Sequence, residues 1–260
     1  MKNKLLTTAL LTLWLNPVAA ATPEQIGLEI AQQVVAHDEG WGDTKVDMLM
    51  TLKNREGKET TRKIRISTLE VEDDGDKSLT VFNTPRDVKG TGFLSYSHPV
   101  VADDQWLYLP ALKRVKRISS ANKSGPFMGS EFAFEDLSSF EVEKYKYKYL
   151  QDETIEGMDA YVIESYPQYA NSGYTRLINW IDKAEYRVLK TEFYDRKNTL
   201  LKTLTYSDYQ QYLGEYWRAN IMYVENVVTG KSTRLEYSDY AFRTGLSENQ
   251  FNKNMLKRAR

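Results

Sequence analysis

From Thr44 onward the side chains alternate with a period of two. Val46, Met48, Met50 and Leu52 share one face, and Asp47, Thr51 and Lys53 share the other. That period admits extended strands and excludes a helical array. A turn at Arg55-Glu56-Gly57-Lys58 leads to a second strand, with Ile64 and Ile66 on the apolar face and Lys63 and Arg65 opposite. Lys144-Tyr145-Lys146-Tyr147-Lys148-Tyr149 alternates strictly, so its tyrosines are expected on one face and its lysines on the other. Further strands read at about 158–168, 174–182, 186–196, 199–209, 216–228 and 231–240, with turn signals at Glu156-Gly157, Asp195 to Asn198 and Thr229-Gly230-Lys231. The expected total is about eleven to thirteen strands. Short connections imply an antiparallel meander. A sheet of that size curls, and its concave face must be covered. A curved sheet under a cover encloses an apolar cavity, the kind of site a lipid carrier needs.

Ahead of the strands lies one helix signal. Thr22 can cap, Pro23 suits the first helical turn and Gln25 can close a capping box. Ile26, Ile30 and Val34 then fall on one stripe, ending near His37 with Gly40 and Gly42 beyond. Residues 1–21 read as a secretory signal peptide: Lys2 and Lys4, an apolar run from Leu5 to Leu15, then Asn16-Pro17 and the small residues Val18 to Ala21. The run is about half the length of a membrane span. Cleavage is expected near Ala20 or Ala21, giving an exported, periplasmic chain of one domain over 22–260. With no cysteine in the sequence, the exported chain would not be lipidated. Loss of two lysines and no acid takes the net charge from −1 to −3, which disfavours a nucleic-acid binder.

The most unusual stretch runs from 90 to 136. Trp106-Leu107-Tyr108-Leu109-Pro110 leads into Lys113, Arg114, Lys116, Arg117 and Lys123, with no acid between Gln105 and Ser130. These cations read either as the solvated face of a strand, with Val115 and Ile118 packing inward, or as a docking patch for an acidic partner or anionic head groups. Phe127, Met128, Phe132 and Phe134 crowd into eight residues with Gly125, Pro126 and Gly129. The segment is either a buried connection or a lid whose side chains touch a ligand.

Residues suited to catalysis are few. Without cysteine, thiolate nucleophiles, iron–sulfur clusters and Cys-based zinc sites are excluded. His37 reads as a structural residue at a helix C-terminus, and His98 sits in the turn Ser97-His98-Pro99. No nucleophile-elbow motif is present. Asp73, Asp74 and Asp76 around Gly75 resemble half a calcium loop but lack the later glutamate, and read as an exposed acidic turn. There is no phosphate-cradling glycine loop. The reading is a non-enzyme with no cofactor and no metal.

The middle segment carries a resemblance. Gly90-Thr91-Gly92-Phe93-Leu94, Trp106 to Pro110, Arg114-x-x-Arg117-Ile118 and Phe127-Met128-Gly129-Ser130-x-Phe132-x-x-Glu135-Asp136 resemble the outer membrane lipoprotein-sorting protein family, which is similar to the LolA and LolB lipoprotein carriers. The resemblance implies an open, unclosed β-barrel with helices across its concave face and an interior that takes the acyl chains of a lipoprotein or another lipid. It further implies an inner-membrane exporter of the RND type and an outer-membrane acceptor as partners. The candidate acyl-contacting residues are Met48, Met50, Leu52, Ile64, Ile66, Phe93, Trp106, Tyr108, Phe127, Met128, Phe132 and Phe134. The candidate docking residues are Lys113, Arg114, Lys116 and Arg117. Two other classes remain open at this point: a periplasmic interaction protein with a filled core, and a secreted hydrolase using His37 or His98.

Overall fold

The computed structural model describes residues 20–72 and 74–258. The body of the expected signal peptide and Asp73 of the acidic turn lie outside the described residues. Helix α1 (Pro23–Ala36) is followed by β1 (Asp43–Lys53), β2 (Glu59–Leu69), β3 (Lys77–Thr84), β4 (Gly92–Tyr96), β5 (Asp104–Leu109) and β6 (Arg114–Ile118). An irregular segment then leads to β7 (Tyr145–Ile155), β8 (Met158–Pro167), β9 (Tyr174–Asp182), β10 (Val188–Asp195), β11 (Leu200–Tyr212), β12 (Tyr216–Asn226), β13 (Lys231–Phe242) and helix α2 (Lys253–Arg258).

All thirteen strands form one sheet in the order β6-β5-β4-β3-β2-β1-β13-β12-β11-β10-β9-β8-β7. Neighbours run antiparallel, and every neighbouring pair except β1–β13 is consecutive in sequence. The two free edges, β6 and β7, are therefore also consecutive. Residues 119–144 must leave one edge of the gap and arrive at the other. Flat, the seven steps from β4 to β10 would separate them by about 34 Å. Yet Phe93 on β4 and Phe193 on β10 share one buried cluster through Phe127 and Phe132 of the connecting segment. The sheet is curled around that segment, as an open, unclosed barrel.

Alternation sets which face is inside. Met48 pairs with Ile64 on β2, and Met50 with Leu235 on β13, and all four are buried in the same cluster. Helix α1 begins with the expected capping box: Gln25 N donates to Thr22 Oγ1 at 3.2 Å, and Thr22 N donates to Gln25 Oε1 at 2.8 Å. It lies against the concave side of the β7–β8–β9 end, with Ile30 and Ala31 packed on Tyr147, Ile163 and Ile181. Gly27 permits this approach, since a Cβ there would meet Tyr149 N at 2.8 Å.

Three expectations are corrected at this level. Of Val115 and Ile118, only Ile118 packs into the barrel: three positions apart on a strand, the two point to opposite faces, and Val115 lies towards α2. Lys123 is not part of a solvated face; it is buried on Asp103, together with Lys144. Of the helices, α1 covers the concave face. Leu256 of α2, with Phe251 just before it, instead packs on Leu94 and Trp106, on the outer face. The rest of the inner cover is the segment between β6 and β7.

Candidate lipid-binding cavity

The connecting segment enters the barrel as a plug. Phe127 and Phe132 are buried, and Phe127 packs its ring 5.1 Å from Phe93, 5.9 Å from Phe82 and 5.5 Å from Phe134. Met128 and Gly129 turn the chain with φ of 50° and 78°, a conformation glycine adopts freely and methionine does not. Arg62 Nη1 donates to Met128 O at 2.6 Å, which secures that turn.

Polar anchors hold the plug at both ends. Lys202 Nζ donates to the Asp136 carboxylate and to Glu131 O. Tyr174 Oη donates to Asp136 at 2.8 Å, and Glu135 accepts from Tyr169, Ser172 and the amide of Gly173. Burial pushes the Glu135 carboxyl above its usual range, opposed by those three donors. Gln105, fully buried on β5, donates to Phe134 O at 2.9 Å and Ser138 Oγ at 3.2 Å. Asp103 takes Lys123, Lys144 and Ser138 together. Burial alone would raise its carboxyl, but the bond and charge of Lys144 and the charge of Lys123 hold it below the ordinary value.

With the plug filling the β1–β6 side, open space remains on the other side. One cavity of about 260 Å³ lies between α1, the plug and the inner face of β8 to β12. Its wall is mostly apolar, with Ala31, Val34, Phe132, Ile163, Leu177, Ile181, Phe193 and Leu204 among its residues. A second cavity, of about 460 Å³, lies beyond the end of α1 and is more aromatic, with Trp41, Tyr186, Tyr209, Trp217, Tyr237 and Tyr240. Val34, Val188, Tyr206 and Met222 contribute to both, so one wall divides them. Two arginines flank the second cavity: Arg187, paired with Asp182 and set over Trp217, and Arg218, paired with Asp38.

The sequence-derived contact residues fall into three groups. Phe132 lines the first cavity and Ile66 the second. Met48, Met50, Ile64, Phe93 and Phe127 are buried in the packed cluster around the plug, with Leu52, Met128 and Phe134 against it. Trp106 and Tyr108 stand on the outer face, where α2 covers them. Lys113, Arg114, Lys116 and Arg117 are exposed at the β6 edge, with Arg117 paired to Asp104. His37 Nδ1 lies 2.8 Å from Gln33 O, and His98 Nδ1 lies 2.9 Å from Asp74, the two in separate parts of the chain. The cavity wall from β8 to β11 escaped the sequence reading. Its signal was present: Ile163-x-Ser165, Leu177-x-Asn179-x-Ile181 and Thr191-x-Phe193 are inward series in which a polar residue interrupts an apolar face.

Comparison with known proteins places this architecture. A family model described only as "Uncharacterized protein" matches residues 74–258. The crystal structure of an outer membrane lipoprotein-sorting protein domain from Vibrio parahaemolyticus is 62% identical, covers 90% of this chain and 99% of its own, and superposes with a TM-score of 0.89. A DUF1329 family protein from Desulfovibrio piger is 30% identical over 91% of this chain and 100% of its own, with a TM-score of 0.86. A LolA superfamily protein from Nitrosomonas europaea, 22% identical with a TM-score of 0.70 over 91% of this chain and 100% of its own, shares the fold. No curated protein matches. The chain belongs to the outer membrane lipoprotein-sorting protein family and has the LolA-like open barrel.

Proposed function

We propose that this chain is a periplasmic, non-enzymatic carrier that holds the acyl chains of a lipoprotein or lipid between α1 and the β8–β12 wall. Its partners would be an inner-membrane exporter of the RND type and an outer-membrane acceptor. The observation that carries the reading is the mostly apolar cavity left open beside the plug, between α1 and the sheet. A 16-carbon chain crossing water exposes about 0.8 kcal/mol per methylene, on the order of 12 kcal/mol in all. A shuttle must replace that contact with apolar wall, and Ile163, Leu177, Ile181 and Leu204 supply it. The exposed cations Lys113, Arg114, Lys116 and Arg117 are then suited to a docking contact with anionic surface. Native mass spectrometry of protein purified from the periplasm tests the reading: a co-purified acyl lipid is expected. Protein that is free of lipid as isolated and binds no added lysolipid would favour an interaction protein with a filled core.

A further inference from the structure

The first cavity carries charged and hydroxyl groups on its plug side, among them Asp103, Lys123, Glu135, Asp136 and Lys144, and a mostly apolar face on its sheet side that is crossed by a short polar rung. Asn179 on β9 lies directly opposite Thr191 on β10, and Ser165 on β8 sits diagonally across. Thr191 Oγ1 donates to Asn179 Oδ1 at 2.9 Å, and Asn179 Nδ2 donates to Ser165 Oγ at 3.0 Å. Ser165 and Thr191 are 1% and 3% exposed, so both are held inside the sheet face. Asn179 is half-buried, and its remaining surface lies in the cavity wall.

Polar side chains set in such a wall cost stability wherever a donor or acceptor is left unpaired. A carboxamide carries two N–H donors. Asn179 gives one to Ser165, and the other meets no acceptor among the described residues. Its neighbours on the rung clamp the amide from both sides, so the spare N–H is held in place rather than free to rotate. The apolar side chains around it, Ile163, Leu177, Ile181 and Phe193, offer it no partner, and the one hydroxyl beside the rung, that of Tyr206, meets Thr191.

We infer that Asn179 is a ligand-binding residue that donates a hydrogen bond to the acyl carbonyl of the cargo, with Ser165 and Thr191 as its positioning residues. The cavity would thus select an ester- or amide-linked acyl chain over a plain hydrocarbon or ether-linked chain. This rests on the carrier reading above. An acyl carbonyl is an acceptor with no proton to give, which suits a lone N–H donor. It also marks the end of the apolar chain, so a donor on the floor of the cavity fixes how far the chain enters.

A matched pair of probes tests this: 1-palmitoyl-lysophosphatidylcholine, with an ester carbonyl, and 1-O-hexadecyl-lysophosphatidylcholine, which lacks it. In a dye-displacement titration the wild-type protein should bind the ester about five- to tenfold more tightly, the gain from one neutral hydrogen bond. Asn179→Leu should bind both equally, at the wild-type ether affinity. Thr191→Val should lower the ester-to-ether ratio without weakening ether binding, which a merely structural role would not do. Equal binding of the two probes by wild-type protein would overturn the inference and leave the carrier reading standing. Binding of neither would overturn both. Because the wild-type comparison needs no substitution, a variant that fails to fold does not remove the test. Competition of the ester probe with a dipalmitoyl cysteinyl lipopeptide then distinguishes a phospholipid-type from a lipoprotein-type source of the carbonyl.

Discussion

Lys202 on β11 and Asp136 in the plug form an ion pair closed off from water, with side chains only 4% and 6% exposed. The pair ties the plug to the wall opposite the β6 edge. Around it, Tyr174 and the amide of Ala133 donate to the same carboxylate, and Glu131 O accepts from the same ammonium. Removing one partner strands a buried charge. Lys202→Met is expected to cost about 3–5 kcal/mol, and Lys202→Met with Asp136→Leu to cost less than the single change. Urea unfolding of the wild type and both variants measures this. A double variant less stable than Lys202→Met would show that the carboxylate serves the plug mainly through Tyr174 and Ala133.

The same anchoring supports a buried connection rather than a lid for residues 125–134. Phe127 N donates to Phe132 O at 2.7 Å, Ser130 N to Phe127 O at 2.9 Å and Phe134 N to Gly125 O at 3.1 Å, with Phe127, Ser130 and Phe132 buried and Phe134 half-buried. Amides bonded and buried in this way open only with the surrounding core. Hydrogen exchange should therefore protect Phe127, Ser130 and Phe134 to the same order as the amides of β11. Exchange a hundredfold faster than β11 would restore the mobile lid.

Much of the sheet was legible because a period of two ties each residue to a face: the strands read at 174–182 and 216–228 are observed at Tyr174–Asp182 and Tyr216–Asn226. What alternation cannot supply is which face is concave once both are apolar. Trp106 and Leu107 are adjacent and both buried, one under α2 and one under the plug. Nor does local sequence reveal ion pairs closed over long separations. Lys123 and Lys144 sit in a basic run and a lysine–tyrosine alternation, yet both find Asp103. The aromatic cluster at 127–134 carries no local mark distinguishing a cover from a plug. That distinction comes from Gln105, Lys202 and Tyr174, each on a different strand.

Two carboxyls beside the plug make stability depend on pH. Burial pushes Asp76 up to about 6, against the bond from Ser139. Burial also pushes Glu141 up to about 7, against the charge of Lys144. Both are protonated in the folded protein at a pH where the unfolded chain has already ionised. The folded state then binds more protons, and stability falls as pH rises from about 4 through 6 to 7. Thermal melting should accordingly decline between pH 5 and pH 8, and Asp76→Asn should flatten that decline. A melting temperature that rises over this range would show that these groups ionise without penalty.

The β6 edge separates docking from folding. Lys113 and Lys116 are exposed and have no ion-pair partner among the described residues. Reversing both to Glu should leave stability within about 0.5 kcal/mol. Binding to vesicles containing phosphatidylglycerol should weaken, and the difference from wild type should shrink as salt rises. Co-sedimentation at low and high ionic strength reads both. Equal binding of wild type and variant at low salt would remove the docking role from this edge.

Packed core and open cavity should respond in opposite ways to a change of volume. Met50 is 1% exposed, and sits between β2 and β13 in the cluster that surrounds the plug. Met50→Ala should therefore cost about 2–5 kcal/mol while lysolipid affinity changes less than twofold, because the residue lies away from the first cavity. Leu177 lines that cavity. Leu177→Trp places the larger side chain in space already open, so the overpacking cost should fall at or below the usual range of about 1–3 kcal/mol. Lysolipid binding by the same variant should drop at least tenfold, since the indole takes the place of the chain. Denaturant melts and dye displacement on the two variants give the four numbers. Retained lysolipid binding by a folded Leu177→Trp would move the acyl site out of this cavity and towards the aromatic one beyond α1.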